Sequence, residues 1–342
     1  MPASLLSWLA SAELRAPDGP GAGHCLSWWN PRHPGYPYPE ISGLLLHLLA
    51  VESAAPSRRG ELVQALVRDP APVEGVARDG QAYTFDTAMA LGGLLADLTT
   101  AGTDEVARRW TDLLVTAADK RSPAAAQSWA SALRPETRWS ESYGAHQAKV
   151  VGALLAARDR FGDSARMRDA VDVCVAAATE VQEPDGRFRA HAFARQTYVH
   201  SHCYAVEGLL MAAADGGSTA DQPDQGDLRD LRDRLWAGAA WLAAVQEASG
   251  GLVAWHDGRS ASGPVRADAT AQALRIWTLV DPDHFADSSA RAAAALEALR
   301  VPGRGLRYEP DSDDVNAWST IFGHQALSWH NDAAAASVAS LV

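Results

Sequence analysis

The chain has 342 residues, 47% of them hydrophobic and 21% charged, with a formal net charge of −12. That is ample for a large core, while the negative charge, with no Lys/Arg cluster to offset it, argues against a nucleic-acid partner. No apolar run reaches the length of about eighteen residues that a membrane span needs, so no membrane partner is expected.

Three widely spaced cysteines, Cys25, Cys174 and Cys203, point to a reducing compartment without a disulfide framework. Met1 to Ala12 lacks a basic leader and soon reaches Glu13, so no signal peptide and a cytoplasmic location are expected.

Two kinds of helix alternate along the chain. Ser4 to Leu14 reads as an amphipathic surface helix. Tyr36-Pro37-Tyr38-Pro39-Glu40-Ile41-Ser42-Gly43-Leu44-Leu45 follows, in which aromatic and polar residues lead into a small, apolar helix. Glu61 to Arg68 is amphipathic again. Tyr83-Thr84-Phe85-Asp86-Thr87-Ala88-Met89 repeats the aromatic-polar opening and runs on to Gly93-Leu94-Leu95. After the amphipathic stretch Thr103 to Ala118, the opening returns as Glu141-Ser142-Tyr143-Gly144-Ala145-His146-Gln147. Ser164 to Gln182 is an outer-type helix with Ser164 as its N-cap.

The stretch from Arg195 to Leu210 is the richest copy. His200, Tyr204 and Glu207 fall at i, i+4 and i+7 and so share one helical face. Ala212 to Asp227 reads as an exposed loop, and Leu228 to Gln246 as an outer helix. Arg266-Ala267-Asp268-Ala269-Thr270-Ala271-Gln272 is the fifth copy. Ser288 to Arg300, with Ser288 as N-cap, precedes the sixth, Asn316 to Gln325.

Helices that are small and apolar nearly all round must be buried on both sides. Six of them alternating with six amphipathic ones predict an all-α fold, an (α/α)6 toroid of six helical hairpins forming one domain over 1–342. Short β-like turns are expected at one rim. An open α-solenoid is the alternative, but it would not require aromatic and titratable residues at the same end of every inner helix.

Gln182-x-x-Asp185-Gly186-x-Phe188 and Gln246-x-x-x-Gly250-Gly251 resemble the Gln-x-x-x-Gly repeats of terpenoid cyclases and protein prenyltransferases, which are α/α toroids. Asp86-Thr87-Ala88-Met89 is similar to the end of the Asp-x-Asp-Asp-Thr-Ala motif of class II terpenoid cyclases, with Tyr83 and Phe85 at the places of that family's other acids. His200-Ser201-His202-Cys203-Tyr204 is similar to the zinc-binding His and Cys segments of prenyltransferase β subunits. The alternating toroid also resembles six-hairpin glycosidases and sugar 2-epimerases.

Carboxylates, His, Arg and flat rings converging at a funnel mouth suit a polar, ring-shaped small-molecule substrate. The expected function is acid–base chemistry on a sugar, as an epimerase, hydrolase or lyase. A terpenoid cyclase or prenyltransferase-like enzyme and a non-catalytic binding toroid are the alternatives. His202 and Asp86 are the first acid–base candidates, with His146, His324 and His200 beside them. Glu40, Glu141, Arg195, Glu207, Arg266, Asp268 and Asn316 are expected to hold substrate, and Tyr38, Tyr143, Tyr198, Tyr204 and Trp318 to line the site. Replacing His202 by Ala is expected to abolish turnover without unfolding the protein. Inner-helix N-termini facing the cavity would favour an anionic group such as a uronate or phosphate. His200, His202 and Cys203 offer zinc ligands, but adjacent helical residues point about 100° apart and no Cys-x-x-Cys or His-Glu-x-x-His spacing occurs, so no metal or other cofactor is expected.

Overall fold

The computed structural model describes residues 2–19, 21–68, 75–78, 81–97, 103–119, 143–216 and 225–342. Glu141 lies outside these described residues. The helices, in chain order, are α1 (Pro2–Leu9), α2 (Pro39–Val51), α3 (Pro56–Arg68), α4 (Thr84–Ala96), α5 (Thr103–Asp119), α6 (Val150–Phe161), α7 (Ala165–Thr179), α8 (Val199–Gly216), α9 (Gln225–Ala244), α10 (Ala267–Val280), α11 (Ala286–Ala298) and α12 (Ala317–Asn331). A 3-10 turn, Ala145–Lys149, leads into α6.

The even-numbered helices form the inner layer. Each packs on the next, α12 returns onto α2, and α1 closes the outer layer by packing on α12. The ring is therefore shut, an (α/α)6 toroid and not a solenoid. Sequence explains the layering. Every residue of α8 from Val199 to Met211 is buried, so it has no face to give to water. The outer α5 buries Val106, Trp110, Leu114 and Ala118, one stripe at helical spacing. Small residues let the inner helices touch: a Cβ on Gly43 would stand 2.4 Å from the Ala90 Cα, and one on Gly93 2.3 Å from the Gly43 carbonyl oxygen.

Short antiparallel strands sit at the N-terminal end of the inner ring. They are β1 (Trp28–Trp29), β2 (Ala77–Arg78), β3 (Gln81–Ala82), β4 (Thr197–Tyr198), β5 (Leu252–His256), β6 (Ala261–Arg266), β7 (Leu306–Arg307) and β8 (Val315–Asn316). They pair in the orders β1-β8-β7, β2-β3 and β4-β5-β6. Strands β3, β4, β6 and β8 each feed directly into an inner helix.

One hydrogen-bonded device recurs where chain enters the inner ring. A hydroxyl four residues past the helix-entry residue donates to that residue's carbonyl and accepts an N–H from the preceding loop or strand. Ser42 donates to Tyr38 O (2.8 Å) and accepts from Cys25 N (2.9 Å). Thr87 does so with Tyr83 O and Val76 N, Thr270 with Arg266 O and Leu252 N, and Thr320 with Asn316 O and Leu306 N. The hydroxyl satisfies a buried backbone donor that no helix or sheet ladder reaches.

The Gln-x-x-x-Gly segments brace the outer layer. The Gln182 amide donates to Gly186 O (3.2 Å) and to Arg234 O of α9 (2.8 Å). Gln246 repeats this with Gly250 O (2.8 Å) and Ser288 O of α11 (2.9 Å). Gly186 and Gly250 have φ of +94° and +86°, and a Cβ on either would lie 2.2 to 2.3 Å from a carbonyl oxygen of the next outer helix. Only glycine fits both demands.

Three sequence expectations shift. Ser164 caps α7 through Met167 N (3.2 Å), but Ser288 lies buried inside α11, which begins after Phe285. Helix α8 runs to Gly216 and α9 begins at Gln225, so both ends of the expected 212–227 loop are helical. The α3 helix starts at Pro56, a turn before its apolar pattern becomes legible.

Candidate active site

Counting from each helix-entry residue (Tyr38, Tyr83, Gly144, Tyr198, Arg266, Asn316), the second residue onward is Glu40, Phe85, His146, His200, Asp268 or Trp318. All are buried except Trp318, which is half-buried. Neighbours around the ring touch. Trp318 Nε1 donates to Glu40 Oε1 (3.2 Å), the rings of Phe85 and His146 lie 5.3 Å apart, and His200 Nδ1 is 3.4 Å from Asp268 Oδ2. One residue further on α4, Asp86 Oδ2 accepts from the Tyr38 hydroxyl (2.9 Å).

Contacts also cross the ring. Phe85 of α4 meets Tyr204 of α8 at 4.9 Å, and His200 of α8 approaches Phe322 of α12 at 6.2 Å. Each contact skips a helix, so these side chains meet on the toroid axis. Tyr204 lies one turn below His200, with ring centroids 4.4 Å apart. Burial raises the pKa of the Tyr204 phenol, reinforced by the charges of Glu40, Glu207 and Asp268. Burial also lowers the His200 pKa, against the pull of Asp268 and Glu207. His200 is therefore a neutral imidazole at neutral pH, with a carboxylate beside it.

The rim adds Trp255, Tyr308 and Glu309, which the sequence did not single out. Tyr198 packs against Trp255, with ring centroids 4.6 Å apart and the planes tilted by 39°, and is hydrogen-bonded to Tyr308. The Arg266 guanidinium lies 4.2 Å over the Tyr308 ring and 3.7 Å from Glu309. Tyr308 follows the short β7 strand, and no motif marks that position.

A layer of charge lies one further turn down. Glu207, fully buried, sits between Arg275 Nη2 (2.5 Å) and Lys149 Nζ (3.0 Å). Arg275 also donates to Gln325 Oε1 (2.9 Å) and Val342 O (2.8 Å), and Lys149 to Val342 O (3.1 Å). Burial brings the Lys149 pKa down to about 8, although Glu207 opposes it. Glu207 is thus an internal counter-ion and not an orienter of hydroxyls. Beyond this layer, at the C-terminal ends of the inner helices, opens a cavity of about 650 Å³ lined by residues such as Leu44, Met89, Met211 and Leu341.

Several expected site residues stand elsewhere. His202 points outward from α8. Its Nδ1 accepts from Phe188 N (3.0 Å), its Nε2 donates to Gly238 O (3.1 Å), and its ring packs on Trp241 and Phe188. It is the fourth residue past Tyr198, where other inner helices place the bridging hydroxyl. Burial lowers its pKa to about 3. His202 is a structural bridge between the layers, and it is the main correction to the sequence reading. His202→Ala is expected to cost about 2–4 kcal/mol, because it strands a buried N–H and a buried C=O, while turnover per folded molecule persists. Loss of turnover at an unchanged melting temperature would return His202 to the chemistry.

The Tyr143 hydroxyl donates to Val173 O of α7 (3.0 Å), away from the axis. The Asn316 side chain caps α12 by accepting from Ser319 N (2.9 Å). His324 lies 3.5 Å from Glu52, at the C-terminal end of α2. Arg195 is exposed. Cys203 Sγ faces Ala269 O (3.8 Å), so His200, His202 and Cys203 diverge, and among the described residues no group of three His, Cys, Asp or Glu side chains is placed to hold a metal ion.

No protein-family profile and no curated protein sequence matches the chain. Solved structures do match its shape. A sugar epimerase from a ruminal bacterium superposes with a TM-score of 0.67 at 10% identity, covering 96% of this chain and 99% of that one. An unsaturated glucuronyl hydrolase specific for heparin gives 0.66 at 13%, over 97% and 95%. An α-amylase from Clostridium perfringens gives 0.65 at 10%, over 96% and 97%. At such identities the likeness establishes the toroid, and function must be argued from the site.

Proposed function

We propose that this protein is a carbohydrate-active enzyme that uses acid–base chemistry at the mouth of the inner ring. The observation that carries the reading is the set of second-position residues: Glu40, His200 and Asp268 reach one axis beside Asp86, among Tyr38, Tyr198 and Trp318. Flat rings suit the apolar face of a sugar, and buried carboxylates suit its hydroxyls. The whole-length likeness to a sugar epimerase, a glucuronyl hydrolase and an amylase supports the same substrate class.

In this reading, neutral His200, oriented by Asp268, accepts a proton from substrate or water. Asp86, held by the Tyr38 hydroxyl, delivers or takes the second proton. Glu40 positions a hydroxyl. A terpenoid-type reaction has less support, since carbocations need apolar walls and this axis carries acids. The proposal is one toroid serving one site over the full chain, acting on a small-molecule saccharide without a cofactor.

The test is turnover on a saccharide panel covering α-glucans, unsaturated glucuronyl oligosaccharides and epimerisable monosaccharides, followed by chromatography and NMR. Asp86→Asn and His200→Asn are each expected to lower kcat by about 10²–10⁴-fold with little change in melting temperature. Full activity in both variants would remove the mouth from catalysis. No turnover of any sugar, with no sugar bound, would favour a non-catalytic toroid.

A further inference from the structure

The Tyr36-Pro37-Tyr38-Pro39 segment builds a row of rings that runs out from the mouth. Each tyrosine precedes a proline, which holds it in extended backbone, and Tyr38 has φ −138° and ψ 114°. Residues i and i+2 of an extended chain point to the same side, and the Tyr36 and Tyr38 rings lie 5.5 Å apart. Ser27 fixes the outer end. Its N–H donates to Tyr36 O (3.0 Å), and its hydroxyl accepts from Tyr36 N (3.0 Å). Gly35 lets the segment close on β1, since a Cβ there would stand 2.4 Å from Trp28 O.

From the mouth outward the row runs Trp318, Tyr38, Tyr36, Trp28, with ring centroids 5.4, 5.5 and 5.2 Å apart. The interplanar angles are 66°, 71° and 88°, so no ring lies flat on the next. The inner end is tied to acids, Trp318 to Glu40 and Tyr38 to Asp86. The outer end reaches water: Tyr38 is buried, Trp28 is half-buried and Tyr36 is 44% exposed. Polar side chains flank that end. Asn30 Nδ2 donates to Asp314 (2.6 Å), Trp28 Nε1 to His33 Nδ1 (3.2 Å), and Arg32 pairs with Asp313.

Rings bordered by hydrogen-bonding groups suit a ligand with apolar faces and hydroxylated edges. A row of them, continuous with the mouth, suits a ligand that repeats those features along its length. The prolines keep the platform preorganised, so little ordering is needed on binding. We infer that the substrate is an oligosaccharide and not a monosaccharide. Its reacting residue sits among Glu40, Asp86 and His200, and the residues that follow lie along Tyr36 and Trp28. The inference rests on the reading of the mouth as a saccharide site and sets the length of what it takes.

Isothermal titration of the full chain separates the two claims. The probes are glucose and glucuronate as monosaccharides, and maltotetraose, cellotetraose and a hyaluronan tetrasaccharide as chains. The chain that binds is expected to do so at least about tenfold more tightly than its monosaccharide. Tyr36→Ala is expected to remove about fivefold or more of that gain, with monosaccharide affinity and melting temperature unchanged. Tyr36→Phe should keep the gain, because the ring makes the contact. Chains that bind no more tightly than monosaccharides, or a gain that survives Tyr36→Ala, would overturn the inference and leave the saccharide site standing. A gain lost equally in Tyr36→Phe would also overturn the ring row. If no saccharide of any length binds, the site and the inference fail together.

Discussion

Between about pH 6.5 and pH 4, two of the protein's buried histidines, His24 and His202, are together expected to cost up to about 2.7 kcal/mol of stability per pH unit as pH falls, and His47, also lowered to about 4 by burial, adds to the same slope. Burial lowers the pKa of His24 to about 4, with the charges of Arg58 and Arg68 adding to the effect, and that of His202 to about 3. His24 Nδ1 lies 3.0 Å from the Ser42 hydroxyl, and His202 bridges Phe188 N and Gly238 O. In the unfolded chain both imidazoles titrate near 6.5. Below that pH the unfolded chain binds two protons that the folded protein refuses, so stability rises with pH. The contribution is complete above about 6.5 and is lost as pH falls toward the folded values. Urea midpoints measured at half-unit steps from pH 7 to 4.5 test this. His24→Asn should lower the slope by up to about 1.4 kcal/mol per pH unit, and equal slopes in wild type and variant would exclude His24 as a source.

Glu207→Ala is expected to destabilise the protein by about 3–5 kcal/mol, since it leaves two buried cations facing each other. The carboxylate holds Arg275 at 2.5 Å and Lys149 at 3.0 Å, and all three side chains are buried. Glu207→Gln should cost less, because the amide fills the same space and its oxygen can still accept from Arg275 or Lys149. Pairing Glu207→Ala with Lys149→Met removes one of the stranded cations and should cost less than the sum of the single changes. Equilibrium unfolding of the four proteins gives the coupling directly. A Glu207→Ala variant within 1 kcal/mol of wild type would show that the trio contributes little to the fold.

The alternation of small apolar and amphipathic helices made the closed ring legible, because burial on two sides leaves no other economical packing for α8 or α10. The i, i+4, i+7 spacing of His200, Tyr204 and Glu207 also mapped directly onto successive axial levels. Side-chain direction was legible only in part. His200 and His202 are two residues apart on one helix, so one faces the axis and the other the outer layer. Composition could not say which, and His202, next to a cysteine, was the more conspicuous. What would have separated them is alignment of the copies: Ser42, Thr87, Thr270 and Thr320 stand where His202 stands, four residues past the entry residue. Asn316 was legible as polar but not as a cap, since the helix start had to be fixed to within one residue. Tyr308 and Glu309 come from a hairpin with no periodic signal. Lys149 gave no warning because the third inner helix opens with a 3-10 turn, which offsets the count.

The bridging hydroxyls have a consequence for how such rings diversify. The groups that tie entering chain to helix stand four residues in, and the groups that meet on the axis stand two residues in. Because the two sets point in different directions, either can vary while the other is held. In the proposed reading, a substitution at Glu40, His200 or Asp268 would alter what the mouth recognises and leave Ser42, His202 and Thr270 to keep the scaffold in register. The two tiers can therefore change independently within one fold, and toroids that superpose along almost their full length share only 10 to 13% of their residues with this one.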